Sequence, residues 1–208
     1  MYIKVCGMKN PQNITSVTQL PVDIIGLIFY EKSARYVGKQ NNSAIKNAIP
    51  KHVKTAGVFV NDSLENIFAY HSFYSFSYIQ LHGTESPEFC EQVQQKTNAQ
   101  VIKAFQVDAD FLCSSVSDYE QACSYALFDT KTKHYGGSGH KFDWEKLSEY
   151  SGKLPFFLSG GITPCDADII KSLQLPLLYA IDINSKFEIE PGLKNTEEIS
   201  LFIKELQG

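Results

Sequence analysis

Phe156-Phe157-Leu158-Ser159-Gly160-Gly161-Ile162-Thr163-Pro164 runs from an apolar strand through a paired-glycine loop into a Thr-Pro helix start. Strand, short polar loop and helix in that order make a crossover unit, and the unit recurs along the chain. Short β-rich runs stand at 2–6, 23–29, 56–60, 77–81, 100–104, 125–129, 156–159 and 178–182. Helical segments fill the intervals at 11–19, 41–49, 63–72, 86–97, 109–117, 143–149, 164–173 and 195–206. A regular alternation with a period of about 25 residues favours parallel strands joined by helices. Alternation alone does not show closure, so a doubly wound open sheet competes, but eight units predict a closed (β/α)8 barrel. Asn10-Pro11, Ser86-Pro87 and Thr163-Pro164 each offer a cap and a first-turn proline after a strand. The region 107–119 is short and rich in Ser and Asp, so only a turn or two of helix is expected there. With no Gly/Ser linker, low-complexity tract or abrupt charge shift, residues 1–208 read as a single domain.

Hydrophobic residues make up 43% and charged residues 20% of the 208, an ordinary globular balance with enough apolar surface for a barrel core. The net charge of -4, without any basic run, argues against broad nucleic-acid or anionic-membrane binding. Any anionic ligand must then be held locally. The five cysteines are odd in number and widely spread, without metal-ligand spacing, which reads as reduced thiols. No secretion-type leader opens the sequence, and no apolar run approaches the ~18 residues of a membrane span. A cytoplasmic location is expected.

Two strand ends carry proton-transferring side chains. The run YIKV leads into Cys6-Gly7, and YALF leads into Asp129-Thr130. Alternation puts Lys4 and Cys6 on one strand face, and Tyr125, Leu127 and Asp129 on another, so in one barrel both ends aim at a common pocket. A thiol and a carboxyl there suit a base and an acid working from two sides of a substrate, with no metal required. Taken alone, Cys6 reads more readily as an inert buried cysteine. Asp129 reads equally well as a loop cap. Gln80 and His82 share a strand face, so His82 is either a mouth residue or a structural hydrogen-bonding histidine. Asp182 either touches ligand or orients neighbouring loops.

A barrel holds phosphate after its seventh and eighth strands. Gly160 and Gly161 follow the seventh strand and allow backbone N–H groups to approach an anion closely, with a helix start beyond. Asp182-Ile183-Asn184-Ser185 follows the eighth, and Asn184 and Ser185 add small polar donors. Either loop alone is an ordinary turn; together, at the two expected strand ends, they resemble a phosphate cradle. After the sixth strand His134-Tyr135-Gly136-Gly137-Ser138-Gly139-His140 is either a flexible loop or a lid, with Gly136 and Gly137 offering further backbone donors. It lacks the glycine spacing of a dinucleotide loop and the Lys-Ser/Thr pair of a P-loop.

The ordered segments KVCGMKN at 4–10, DIIGLIF at 23–29, SARYV at 33–37, GVFVN at 57–61, QLHGTE at 80–85, FDT at 128–130, GGSGHKFDW at 136–144, LSGGITP at 158–164, DINS at 182–185 and PGLKN at 191–195 resemble the phosphoribosylanthranilate isomerase family over nearly the whole chain. The resemblance implies an Amadori rearrangement of N-(5-phosphoribosyl)anthranilate to 1-(o-carboxyphenylamino)-1-deoxyribulose 5-phosphate, without cofactor or metal. It implies Asp129 as the general acid that opens the furanose ring and Cys6 as the general base that removes the C2 proton. Arg35 matches the partner of the anthranilate carboxylate, a role suited to a planar guanidinium. Lys4, on the same face as Cys6, is expected to favour the thiolate.

Two positions depart from the family pattern. Ala34 stands where a proline commonly precedes the arginine, which implies a less rigid loop, and Lys186 stands where a glycine commonly follows the DINS segment. Three rival readings remain at this level. One is a Schiff-base aldolase with an inward-facing Lys103, another the related aminoaldose isomerase of histidine synthesis, and the third a non-catalytic phosphate-ester barrel. The expected partner is a small phosphoribosyl substrate, and the oligomeric state is a monomer or homodimer.

Overall fold

Eight parallel strands close on themselves in the computed structural model, which describes residues 1–130 and 142–208. They are β1 Tyr2–Val5, β2 Ile24–Ile28, β3 Lys54–Phe59, β4 Tyr78–Leu81, β5 Gln100–Val107, β6 Tyr125–Thr130, β7 Phe156–Leu158 and β8 Leu178–Ile183. Closure is made by β1 against β8, in register at Lys4 and Asp182, while β1 pairs β2 on its other side. The open doubly wound sheet is thereby ruled out.

Alternation along these strands separates two cores. Outward residues such as Ile3, Val5, Ile25, Leu27, Ile79, Leu81, Phe128 and Ile181 are buried against the helical layer. The helices are α1 Pro11–Val17, α2 Ser43–Ala48, α3 Leu64–Tyr74, α4 Pro87–Thr97, α5 Ala167–Ser172 and α6 Thr196–Gln207. α6 shows how patterning places them: Ile199, Phe202, Ile203 and Leu206, at helical spacing, form its buried stripe. Each such side chain contributes roughly 1.5–3 kcal/mol on burial. Inward residues Ile24, Ala56, Tyr78, Ile102, Ala104, Leu127, Phe157 and Ala180 fill the barrel. Below them Tyr78 and Tyr179 share a hydroxyl contact of 3.0 Å, and Lys54 Nζ donates to the Tyr78 hydroxyl at 3.1 Å.

Two prolines open helices as read. Asn10 accepts from the Asn13 N–H ahead of Pro11, and Ser86 accepts from the Phe89 N–H ahead of Pro87. Thr163-Pro164 opens a 3-10 turn, Pro164–Asp166, that runs into α5. The crossovers after β5 and β6 are also 3-10 segments, Cys113–Tyr119 and Trp144–Glu149, rather than α-helices. The Ser-rich 113–119 stretch has little helix propensity to sustain more. An unforeseen antiparallel hairpin, β9 Glu188–Glu190 and β10 Leu193–Lys194, lies between β8 and α6. Its turn holds Pro191 and Gly192, the latter at φ +87°, a conformation that favours glycine.

Candidate active site

Stepping two residues up from the apolar layer inside the barrel replaces hydrocarbon by polar groups. Tyr78 gives way to Gln80 and His82, Ala180 to Asp182 and Asn184, Leu127 to Asp129, and Phe157 to Ser159. Lys4 sits at the base of this layer with its side chain fully enclosed. Its Nζ donates to Asp182 Oδ1 at 2.9 Å and to Gln80 Oε1 at 2.8 Å. Burial penalises the Lys4 ammonium, but Asp182 and the nearby Cys6 outweigh it and hold its pKa above the ordinary lysine value.

Cys6 stands just above Lys4, and room for it is made by the neighbouring strand. A Cβ on Gly26 would come within 2.7 Å of the Cys6 Sγ and 3.0 Å of its Cα. Glycine is the residue that leaves the thiol its place. Burial pushes the Cys6 thiol above its usual range; Lys4 and Lys194 pull the other way without winning, and Asp182 adds to the rise. Lys4 pulls toward the thiolate, but burial dominates. Asp182 is likewise pushed up by burial against the pull of Lys4.

Across the mouth, Asp129 Oδ1 accepts from the Thr130 N–H at 2.9 Å, and Oδ2 lies 3.3 Å from His82 Nε2. That approach is close enough for an ion pair but misses hydrogen-bond geometry, leaving His82 Nε2 buried without a hydrogen-bond partner among the described residues. His82 Nδ1 is 2.7 Å from Gln80 Nε2. Gly160 and Gly161, at φ +88° and +70°, place the loop after β7 directly against this carboxyl: a Cβ on Gly160 would meet the Thr130 Oγ1 at 2.5 Å and Asp129 Oδ1 at 3.2 Å. Gly136 and Gly137, with the rest of 131–141, lie outside the described residues.

Arg35 reaches the same mouth from the loop after β2. Gly7 makes way for it, since a Cβ there would lie 2.5 Å from the Arg35 Cδ and 2.7 Å from Asn184 Oδ1. The guanidinium grips Glu188, with Nε at 2.9 Å and 3.1 Å from its two oxygens and Nη2 at 2.6 Å. Lys194 Nζ binds the same carboxylate at 2.7 Å, and also Asn184 Oδ1 at 2.7 Å. Burial lowers the Lys194 pKa to about 8. Burial works against the Glu188 carboxylate too, but Arg35 and Lys194 prevail and hold its pKa below the usual range. Neither Lys194 nor Glu188 was foreseen as a site residue. The PGLKN segment contains the lysine, but only the hairpin brings it back to the mouth. Ala34 departs from proline, yet its carbonyl accepts from Lys9 Nζ at 2.9 Å, which ties down the loop presenting Arg35. Ser185 and the exposed Lys186 line a cleft of about 280 Å³ with Arg35 and Glu188.

Lys103 overturns one expectation. It points outward, because Ile102 and Ala104 take the interior positions of β5. Its ammonium donates to the carbonyls of Leu81, Gly83 and Ala104 and lies 3.3 Å from Glu85. The Schiff-base reading needs an inward-facing Lys103, so it falls.

Fold and mouth together define a (β/α)8-barrel enzyme, with its chemistry-bearing side chains at the carboxyl ends of the strands. Comparison with known proteins narrows the class. The family model described as N-(5'phosphoribosyl)anthranilate (PRA) isomerase matches residues 3–205. The N-(5'-phosphoribosyl)anthranilate isomerase of Parabacteroides distasonis is 44% identical over 99% of this chain and 93% of its own length. The phosphoribosyl anthranilate isomerase structure from Thermotoga maritima superposes with a TM-score of 0.88 at 32% identity, covering 100% of this chain and 99% of that one. A further structure of such an isomerase, in complex with reduced 1-(o-carboxyphenylamino)-1-deoxyribulose 5-phosphate, matches with a TM-score of 0.85 at 28% identity, covering 100% and 99%. The chain belongs to the phosphoribosylanthranilate isomerase family, aldose-ketose isomerases of tryptophan biosynthesis.

Proposed function

We propose that Cys6 is the general base and Asp129 the general acid of this isomerisation. The observation that carries the assignment is their position at the carboxyl ends of β1 and β6, around a single barrel mouth. Asp129 protonates the furanose ring oxygen and the ring opens to an iminium. Cys6 takes the C2 proton, and the enolamine tautomerises to the ketone. A thiol raised by burial suits this order of events, because the cationic iminium, formed first, adds to Lys4 in favouring the thiolate at the moment it is needed.

Binding follows from the remaining groups. Gly160 and Gly161, both at positive φ after β7, offer backbone N–H groups to the phosphate, and Asn184 and Ser185 after β8, with Gly136 and Gly137 outside the described residues, are its further donors. Arg35, aligned by Glu188, takes the anthranilate carboxylate on its remaining edge, and Lys186 in the same cleft adds a second cation. His82, beside Asp129, and Asp182, which holds Lys4, border the ligand. The chain acts as one domain, 1–208, in the cytoplasm. Among its described residues no helix is long and apolar enough to cross a membrane. Its assembly is a monomer or a homodimer; one Thermotoga maritima relative is described as dimeric.

The test is loss of substrate fluorescence with phosphoribosylanthranilate generated in situ. Cys6→Ala and Asp129→Asn should each lower kcat by at least ~100-fold, within or above the range of general acid–base catalysis, while circular dichroism stays native. Turnover surviving in either folded variant rejects that residue's role.

A further inference from the structure

We infer that Gln80 is a positioning residue that locks His82 in its Nε2–H tautomer, so that the imidazole presents an N–H to Asp129. Lys4 Nζ is a donor and nothing else, so the Gln80 atom 2.8 Å from it must be the amide oxygen. The other end of the same amide is then the NH2 group, again a donor only, and it lies 2.7 Å from His82 Nδ1. Nδ1 must accept, which leaves the ring proton of a neutral imidazole on Nε2. That atom is buried, has no hydrogen-bond partner among the described residues, and stands 3.3 Å from Asp129 Oδ2.

The lock is anchored well away from the acid. Asp182 holds Lys4 from β8, Lys4 holds Gln80 from β1, and Gln80, enclosed at 1% exposure, holds the histidine two residues along its own strand. Among the described residues, the charged and titratable groups facing this row include Asp129, Asp182, Lys4 and Cys6. Glu85, the nearest other carboxylate on the β4 side, is spent on the Asn61 and Gly83 amides and on Lys103. Protonating Nδ1 would set an N–H against the Gln80 NH2, so the amide opposes a proton at that nitrogen.

The consequence for the reaction rests on Asp129 being the acid. When Asp129 releases its proton, the new carboxylate finds the ring Nε2–H at an N···O distance of 3.3 Å, and a small reorientation aligns it as a hydrogen bond. A ring with Nδ1–H would turn a lone pair toward the carboxylate instead and oppose its formation. Gln80 touches no reacting atom; it acts through His82.

Nitrogen-15 NMR of the histidine rings in the wild-type enzyme, with His82 assigned by its absence in a His82→Asn variant, reads the tautomer directly. The expected result is protonated Nε2 and bare Nδ1 at neutral pH. Nδ1–H, or an imidazolium, in the wild type overturns the inference without any Gln80 variant having to fold. Gln80→Met should then give a mixed tautomer population. It should also lower kcat roughly tenfold with KM nearly unchanged. Gln80→Glu should move the proton to Nδ1, because its carboxylate accepts from both Lys4 and the ring. A wild-type-like tautomer and pH–rate profile in folded Gln80→Met would also overturn it. The acid assignment fails separately, if Asp129→Asn keeps its turnover while the tautomer is as stated.

Discussion

Gly26 shows how much of an active site is set by an atom that is missing. The sequence marks Cys6 by its position at the end of an apolar run, but nothing local says that the residue opposite must lack a side chain. The two meet only because β1 and β2 pair with Lys4 against Ile24, and Gly26 follows two positions on. A methyl group there would overlap Sγ at 2.7 Å with no flexible tip to yield. Overpacking of that kind costs about 1–3 kcal/mol, and here the strain falls on the proposed base. Gly26→Ala should therefore lower the thermal midpoint by several degrees and reduce kcat far more than it raises KM. Steady-state kinetics beside a melting curve check this, and unchanged kcat in the folded variant would show that Cys6 tolerates displacement. The same limit explains which other residues sequence reading reached. Cys6, Asp129 and His82 become candidates by type and strand-end position, and Arg35 only through the family resemblance, whereas Glu188 and Lys194 are common surface residue types buried only by tertiary return of the chain.

Elements were legible to the extent that their signals are local. All eight strands and most crossovers follow from runs of β-branched and aromatic residues between caps. The β9–β10 hairpin escaped because three residues of Glu-Ile-Glu and two of Leu-Lys carry no periodicity of their own. The Thr163-Pro164 start is an instructive partial success. The cap signal is real, but the bonds run from the Thr163 N–H and hydroxyl to Asp166 Oδ2, at 2.6 and 2.8 Å. Asp166 thus fixes the exit of the glycine loop. Asp166→Ala should destabilise the fold by about 0.5–2 kcal/mol, the usual range for a lost helix-start interaction. Because that loop carries Gly160 and Gly161, it should raise KM several-fold with a smaller effect on kcat. Urea unfolding and saturation kinetics measure the two effects, and a kcat-only loss would place the loop in chemistry rather than binding.

The barrel as a whole buries many groups that ionise only at high pH. Burial raises the phenols of Tyr74, Tyr78, Tyr119 and Tyr179, pushes Tyr125 and Tyr150 up to about 12, and takes Tyr70 further. Cys6 is raised by burial as well, and Cys123 by its contact with Cys90 and then by burial. In the unfolded chain thiols lose protons near ~8.5 and phenols near ~10. Above those values the folded state therefore binds more protons than the unfolded one, and stability must fall as pH rises. Lys194 opposes this between about 8 and the ordinary lysine value, since there the unfolded chain is the one that binds the extra proton. One ammonium against this set of thiols and phenols leaves the net slope downward. Alkaline unfolding should consequently be cooperative, with the phenolate absorbance of the buried tyrosines appearing together with the loss of helical circular dichroism. Tyr125→Phe removes one partly buried phenol from that step without removing the ring, so its phenolate amplitude should be smaller and its alkaline midpoint slightly higher than in the wild type. Phenolate signal from Tyr125, taken as the wild-type minus variant difference, that rises well before the dichroism changes would mean that the barrel floor admits hydroxide while folded, and that its tyrosine cluster is not closed to solvent.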